Sequence, residues 1–324
     1  MEIGKLDWED LKGIIEENRT VEREEVRIRS SIGEDCAVIN FGDYEAVVST
    51  DPITGTTNNI GKIAVHINAN DIASCGVEVV GILVTILAPP TATLEDIREV
   101  MREINQECTK LNIEILGGHT EVTDAVSRMV VSCTAIGKGK KGEAVATSTA
   151  KLGDELIVTK DLCLEGTSIV VNDYYERIKS VLTEDEVIEA KGYSDMLSVV
   201  KEGTIASKFG VNAMHDITEG GILGAAFEIA IASKKGFELY SDILPITEVT
   251  RKITKELNID PLRFISSGSL LISCENGSEL VKILEENGIK ASIIGKIIDA
   301  EKLIVDSRGK MVANPPTRDE LFKL

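Results

Sequence analysis

The 324 residues are 43% hydrophobic but only 4% aromatic, and they carry a net charge of -19. This is material for two cores built from Ile, Val, Leu and Ala. So acidic a surface repels phosphate backbones, which excludes nucleic acid as an expected partner. The longest apolar candidate, residues 77–90, is too short for a bilayer and contains Glu78, and Met1-Glu2-Ile3-Gly4-Lys5 has no apolar signal segment. Six cysteines (36, 75, 108, 133, 163, 274) form no C-x-x-C pair, so the expectation is reduced, buried thiols in a cytoplasmic protein with no membrane partner.

Alternation predicts strands at 26–32 and 45–50, with a further short one at 36–40. A helix is expected over 60–75, a buried strand over 79–87, an amphipathic helix over 94–111, and strands at 113–116 and 128–137. The glycine and lysine run Gly137–Gly142 reads as a break that ends the first unit. After it come a strand at 155–159, helices at 166–178, 184–190, 194–208, 221–233, 247–256 and 278–287, and strands at 211–216, 236–240, 264–273, 291–297 and 303–306. The fold class is therefore mixed α/β (α+β) in two domains, divided at 1–145 and 146–324.

Four acidic segments stand out: Gly33-Glu34-Asp35, Ser49-Thr50-Asp51, Asn68-Ala69-Asn70-Asp71, and His215-Asp216-Ile217-Thr218-Glu219-Gly220-Gly221. Each puts carboxylates at the end of an apolar run or beside glycines, where they need a metal, a basic partner or a hydrogen-bond network. Mg²⁺ carrying nucleotide phosphates suits such a composite site. In the first segment Glu34 and Asp35 point to opposite faces if extended, so one ion uses mainly one of them. Asp51 precedes Pro52, which aims it out of a strand end, although such an Asp also starts turns. Asn68, Asp71 and Ser74 or Cys75 make a polar stripe on an otherwise apolar helix. The Asp216–Gly221 segment sits at a strand-to-helix junction. It reads either as an anion site beside a metal-holding Asp216 or as a turn capped by Thr218. Gly117-Gly118 reads as a turn that lets a ligand approach, with His119 and Glu121 beside it. The run Gly55–Ile63 is not a Walker A motif, because its glycine spacing is one residue too long and Ile63 follows the lysine.

In this order the segments resemble the aminoimidazole ribonucleotide synthetase-like superfamily of ATP-dependent enzymes, over residues 26–297. Gly33–Ala37 matches its Gly-Asp-Asp-Ala-Ala turn, and Ser49-Thr50-Asp51 its Thr-Thr-Asp. Asn68, Asp71, Ala73 and Gly76 match its Asn-x-x-Asp-x-Ala-x-x-Gly helix. Gly117-Gly118-His119-Thr120 and Asp216–Gly221 match its two remaining glycine motifs. The resemblance implies Mg²⁺ at Asp35, Asp51, Asp71 and Asp216. It implies ATP contacts from Asn68, Gly117, Gly118, His119, Thr120, Thr218, Gly220 and Gly221, and assigns no catalytic residue. His119 stands where several branches have a carboxylate. An N-terminal domain dimerising through a β-barrel and a C-terminal α/β domain covering the site are also implied, hence a homodimer. The implied reaction is phosphoryl transfer to an amide-type or related oxygen of a small molecule or partner-borne group. The likeness is greatest to the hydrogenase-maturation branch, which carries its substrate on a C-terminal cysteine; here the last cysteine is Cys274. The alternative is a nucleotide-binding regulatory or scaffold protein of the same fold.

Overall fold

Alternation along the first half puts Glu45, Val47 and Ser49 on the same buried face as Val131, Cys133 and Ala135. The computed structural model describes residues 4–324 apart from 19, 20, 30, 55 and 57. Helix α1 (Trp8–Asn18) precedes strands β1 (Val26–Ile28), β2 (Ala37–Phe41) and β3 (Tyr44–Ile53). Helix α2 (Ile60–Ser74), strand β4 (Glu78–Ala88), helix α3 (Leu94–Leu111), β5 (Glu114–Val122) and β6 (Val130–Lys140) complete the first half. The six strands form one sheet in the order β1-β2-β3-β6-β4-β5, with β4 and β5 parallel and the other neighbours antiparallel. Thr93 and Asp96 close a capping box at the start of α3, which fixes where that helix opens.

The second half runs β7 (Glu155–Thr159), α4 (Leu164–Asp173), α5 (Tyr175–Ile178), α6 (Glu184–Gly192) and α7 (Val200–Phe209). There follow β8 (Ala213–Ile217), α8 (Gly221–Ser233), β9 (Gly236–Tyr240), α9 (Glu248–Glu256), β10 (Ser269–Cys274), α10 (Gly277–Glu286), β11 (Ala291–Ile298), β12 (Lys302–Asp306) and β13 (Gly309–Val312). These strands make a seven-stranded sheet in the order β13-β12-β9-β11-β7-β10-β8. Its edge strand β8 is nevertheless buried along its whole length, because α2 packs against it.

Helix α2 joins the halves. It contacts β3 and β6 of the first sheet, and α3, α7 and β8 besides. Asn70 accepts from the Val199 N–H at 2.9 Å and donates to the Leu197 carbonyl at 2.8 Å, so its amide is matched across the junction. A Cβ on Gly203 of α7 would lie 2.1 Å from the Ala73 carbonyl oxygen, so only glycine permits this approach.

Several expected boundaries move. Residues 194–208 divide into a 3-10 turn at Tyr193–Met196 and helix α7, and residues 166–178 divide at Tyr174 into α4 and α5. Gly137–Lys140 belong to β6, which pairs with β3 as far as Lys140↔Tyr44, so the break itself narrows to the turn at Lys141-Gly142, after the last strand of the first sheet. Gly117 and Gly118 are not a turn; they lie inside β5, opposite Leu83 and Val84 of β4. Helix α1 and strand β13 were not expected. The 26–32 strand shortens to Val26–Ile28; its residue 30, and residues 55 and 57 of the rejected phosphate loop, lie outside the described residues. All six cysteines are free and buried, as expected.

Candidate active site

The four acidic segments meet where α2 passes between the sheets. Asp71 is 2% exposed and accepts the Ser49 hydroxyl at 2.6 Å, so β3 and α2 fix its orientation. Its backbone carbonyl takes the Ser74 hydroxyl at 2.7 Å and the Cys36 thiol at 3.3 Å. Asn68 accepts from the Asp51 N–H at 2.9 Å and donates to the Asp51 carbonyl at 3.3 Å and the Ala64 carbonyl at 2.9 Å. Its amide thus clamps the backbone that carries the Asp51 carboxylate. Glu34 turns away from Asp35, as the strand pattern implies, and accepts the N–H groups of Thr147 and Ser148 at 3.2 and 2.7 Å. Gly33 makes this turn possible: its φ is +81°, and a Cβ there would stand 2.6 Å from the Glu228 carbonyl oxygen.

Asp216, on β8, is the least satisfied member. It is 2% exposed, and neither carboxylate oxygen has a hydrogen-bond partner among the described residues. Burial raises its pKa from 3.8 to about 7, with Asp35 and Asp51 adding and His215 opposing. Burial also raises Asp51 to about 6, against the pull of Lys5. For Asp71 burial, Asp216, Asp51 and Asp35 all push in the same upward direction. Like charges 4 Å apart repel by about 4 kcal/mol in a partly solvated site, so the cluster resists full ionisation without a cation.

Two cations face the cluster, one buried and one on an exposed residue. His215 donates Nδ1–H to the Asp216 carbonyl at 2.6 Å, and its Nε2 lies 3.4 Å from both Asp35 and Glu228. Burial lowers its pKa, but Asp35, Glu228 and Asp216 outweigh that and raise it to about 9, so it is an imidazolium at neutral pH. Lys5, though an exposed residue, faces the same acids: the loss of water around its ammonium works against its charge, but Glu228, Asp35, Glu219 and Asp51 hold it protonated. Asp35, His215 and Asp216 offer donor atoms that all lie within 4.8 Å of one another. Nδ1 of His215 is engaged by the Asp216 carbonyl, and its Nε2, without a hydrogen-bond partner among the described residues, has no lone pair to offer a metal while the ring is an imidazolium; the carboxylate oxygens then remain, which fit a hard divalent ion such as Mg²⁺.

The glycine motifs fare differently. Gly220 (φ +84°) and Gly221 (φ +61°) form the entry to α8, where a Cβ on Gly221 would come within 2.8 Å of the Leu262 and Phe264 carbonyl oxygens. Gly220, not Thr218, is the N-cap, and its N–H donates to Asp319 at 2.7 Å. The junction therefore does hold an anionic group, one supplied by the chain itself. Gly117, Gly118, His119 and Thr120 lie on the exposed strand β5, where His119 Nε2 is 3.2 Å from Glu121. They do not line the cavity beside the acidic cluster.

That cavity, about 340 Å³, runs from Asp51, Thr218 and Glu219 to Glu165 and Ser267. Lys5, Glu165, Glu228 and Asp319 were missed in the sequence. Glu165 and Glu228 had a visible signal, each being an acid inside an apolar run (Leu162–Val171 and Gly221–Ala232). Lys5 and Asp319 had none, since only the tertiary fold brings either terminus here.

Two family models match the chain: AIR synthase related protein, N-terminal domain, over residues 33–138, and AIR synthase related protein, C-terminal domain, over residues 151–307. A putative hydrogenase expression/formation protein of Methanocaldococcus jannaschii is 28% identical over 338 residues, covering 98% of this chain and 96% of the relative. Among solved structures, the HypE–HypF complex superposes with a TM-score of 0.78 at 20% identity, covering 94% of this chain and 99% of that one. AaThiL complexed with AMPPCP and TMP gives 0.74 at 17% identity, covering 95% and 94%. At such identities the structures establish the fold, which is the mixed α/β two-domain architecture expected from the motifs. The ordered acidic motifs, the two sheets and the two matched domains agree: this chain belongs to the AIR synthase related family.

Proposed function

We propose that this chain is an ATP- and Mg²⁺-dependent enzyme that activates an amide-type oxygen by phosphoryl transfer, in the manner of hydrogenase-maturation enzymes. The observation that carries the reading is Asp216, whose two buried oxygens lack partners beside Asp35, Asp51 and Asp71. Asp35, Asp51, Asp71 and Asp216 would hold Mg²⁺, which supplies charge neutralisation for the phosphates. Asn68 would keep Asp51 in place, Ser49 would orient Asp71, and Lys5 would face the developing negative charge. Thr218, Gly220 and Gly221 would shape the phosphate side of the cavity. The hydrogenase-related name of the Methanocaldococcus relative and the AMPPCP bound by AaThiL support this reading.

In the same proposal residues 1–145 bind Mg·ATP and dimerise, and residues 146–324 cover the site. Leu83, Leu116 and Val122 of β4 and β5 are 40%, 43% and 61% exposed, an apolar sheet edge that a second copy would cover. Gly117–Thr120 lie on that edge, so their nucleotide role belongs with the dimer. The acceptor would be a small molecule or a group borne by a partner protein, as the HypE–HypF pairing suggests. Among the described residues no helix is long and apolar enough to cross a membrane, which accords with the cytoplasmic setting proposed. Calorimetry with ATP, with and without Mg²⁺, tests the reading. Binding that strengthens with Mg²⁺ and loses that gain in Asp71→Asn is expected, and no binding at millimolar nucleotide would sink it. Light scattering should give a dimer; a stable monomer at micromolar concentration would refute that part.

A further inference from the structure

His215 and Lys5 compete with a divalent ion for the carboxylates that would hold it. His215 is fixed first by its Nδ1–H on the Asp216 carbonyl, at 2.6 Å. That contact sets the ring so that Nε2 stands 3.4 Å from Asp35 and equally 3.4 Å from Glu228. Nε2 is within ion-pair range of both carboxylates and in hydrogen-bond geometry with neither. Lys5 divides in the same way. Against the loss of water around its ammonium, Glu228 does most to hold its charge and Asp35 comes next. The Asp35 side chain is 38% exposed, so an ion can reach it from solvent.

Glu228 is the one charged residue of α8, and it is 8% exposed. Its backbone carbonyl abuts Gly33, where a Cβ would stand 2.6 Å away, so α8 and the turn that carries Asp35 are locked together. Glu228 does not belong to the group formed by Asp35, His215 and Asp216, whose donor atoms lie within 4.8 Å of one another. It lines instead a small recess with Lys5, Glu219 and Asp319. A buried carboxylate on an otherwise apolar helix is costly unless it is paired, and the partners within its reach are these two cations. We propose that Glu228 is a positioning residue for metal binding. It holds His215 and Lys5 as their counter-charge, so that neither cation settles on Asp35 and the Asp35 carboxylate stays open to a divalent ion. The ring need not move when the ion arrives, since Glu228 already stands at ion-pair distance from Nε2. The inference rests on the proposed Mg²⁺ site at Asp35, Asp51, Asp71 and Asp216, and adds how that site keeps two cations beside it without being filled by them.

Mn²⁺ is the probe, a hard divalent ion whose free form is measured by electron paramagnetic resonance. Titrating the metal alone into the full chain at neutral pH reads affinity without turnover. Glu228→Gln keeps the shape and removes the counter-charge, and should weaken Mn²⁺ binding by roughly tenfold or more. Glu228→Asp keeps the charge and should bind within about threefold of the unaltered chain. In a His215→Gln background, Glu228→Gln should cost only about threefold or less, because the nearer competitor is gone. His215→Gln alone and Lys5→Met alone should each bind Mn²⁺ at least as tightly as the unaltered chain; these two decide the matter even where Glu228→Gln does not fold. Four results would each overturn the inference: unchanged binding in Glu228→Gln, an equal loss from it in both backgrounds, an Asp variant as weak as the Gln variant, or weaker binding in both His215→Gln and Lys5→Met. Asp71→Asn keeps the two readings apart. Mn²⁺ binding that Asp71→Asn abolishes and Glu228→Gln leaves intact overturns this inference alone. No Mn²⁺ binding by the unaltered chain, with or without ATP, overturns the metal reading and this inference with it.

Discussion

Asp154 and Asp216 are both buried, at 3% and 2% exposure, yet their surroundings are opposite. Asp154 accepts Asn212 Nδ2 with both oxygens (2.9 and 3.0 Å), the Ser273 hydroxyl at 2.7 Å and the Lys151 N–H at 2.9 Å. Glu45 is a second case of the same kind, with Arg27 bidentate at 3.0 and 2.9 Å and the N–H groups of Gly142 and Ala144 at 3.0 and 2.6 Å. Asp216 has none of this. A carboxylate with its acceptor sites filled belongs to the architecture. One that folding leaves empty next to three other acids costs stability and persists for what it binds.

Substitution should separate the two most sharply. Asp216→Asn is expected to lower ATP-dependent turnover by roughly a hundredfold or more, since it removes a carboxylate proposed to hold the Mg²⁺ that would neutralise the reacting phosphates. Its melting temperature should stay level or rise. Asp154→Ala should do the reverse, losing about 3 kcal/mol of stability as Asn212, Ser273 and the Lys151 N–H lose their acceptor. Denaturant unfolding and steady-state rates on both proteins check the pair. A stability loss in Asp216→Asn equal to that in Asp154→Ala would erase the distinction.

Proton linkage sharpens it further. The folded-state pKa of Asp216 is raised to about 7 from 3.8, so between those values the folded protein binds more protons than the unfolded chain. Stability therefore falls as pH rises through that window, and Asp51, raised to about 6, adds to the fall. His215 is raised from 6.5 to about 9; its contribution is complete below 6.5 and lost as pH approaches 9. The melting temperature of the metal-free protein should thus decline from about pH 5 to about pH 9. Asp216→Asn should flatten the lower part of that decline and leave the His215 part. Mg²⁺ with ATP should oppose the fall by binding the folded state alone. A flat profile between pH 5 and 7 in the metal-free protein would contradict the burial of an ionisable Asp216.

Much of this was legible from residue patterns. Period-two alternation located β3, and the buried strand expected at 79–87, the strand at 128–137 and the amphipathic helix at 94–111 correspond to β4, β6 and α3. Acids interrupting apolar runs located Asp71 and Asp216. The failures have physical causes. Gly117-Gly118 carries the usual signal of a turn, but a Cβ at Gly118 would stand 1.8 Å from the Val84 carbonyl oxygen, so glycine serves close strand pairing there. Helix α1 has no buried residue of its own, and its half-buried Trp8, 5.8 Å from the Phe227 ring, packs against the second core. The Gly220 N–H partner, Asp319, is 99 residues away in sequence, beyond any local pattern.

The smallest effects should come from the thiols nearest the acids. Cys36 adjoins Asp35 and Cys75 follows Ser74 on α2, which invites a nucleophilic reading. The Cys36 thiol donates to the Asp71 carbonyl at 3.3 Å, an ordinary buried contact. Its pKa is pushed well up, first by Cys75 beside it and then by burial, with Asp71 and Asp35 adding, so no thiolate forms at neutral pH. Both side chains are small and pack in the first core, at 3% and 6% exposure. Cys36→Ala and Cys75→Ala should therefore each cost about 1 kcal/mol of stability or less and keep ATP-dependent turnover within about twofold. A variant that binds Mg·ATP normally but no longer turns it over would place one of these sulfurs in the chemistry, and the acidic cluster would then be only half of the catalytic apparatus.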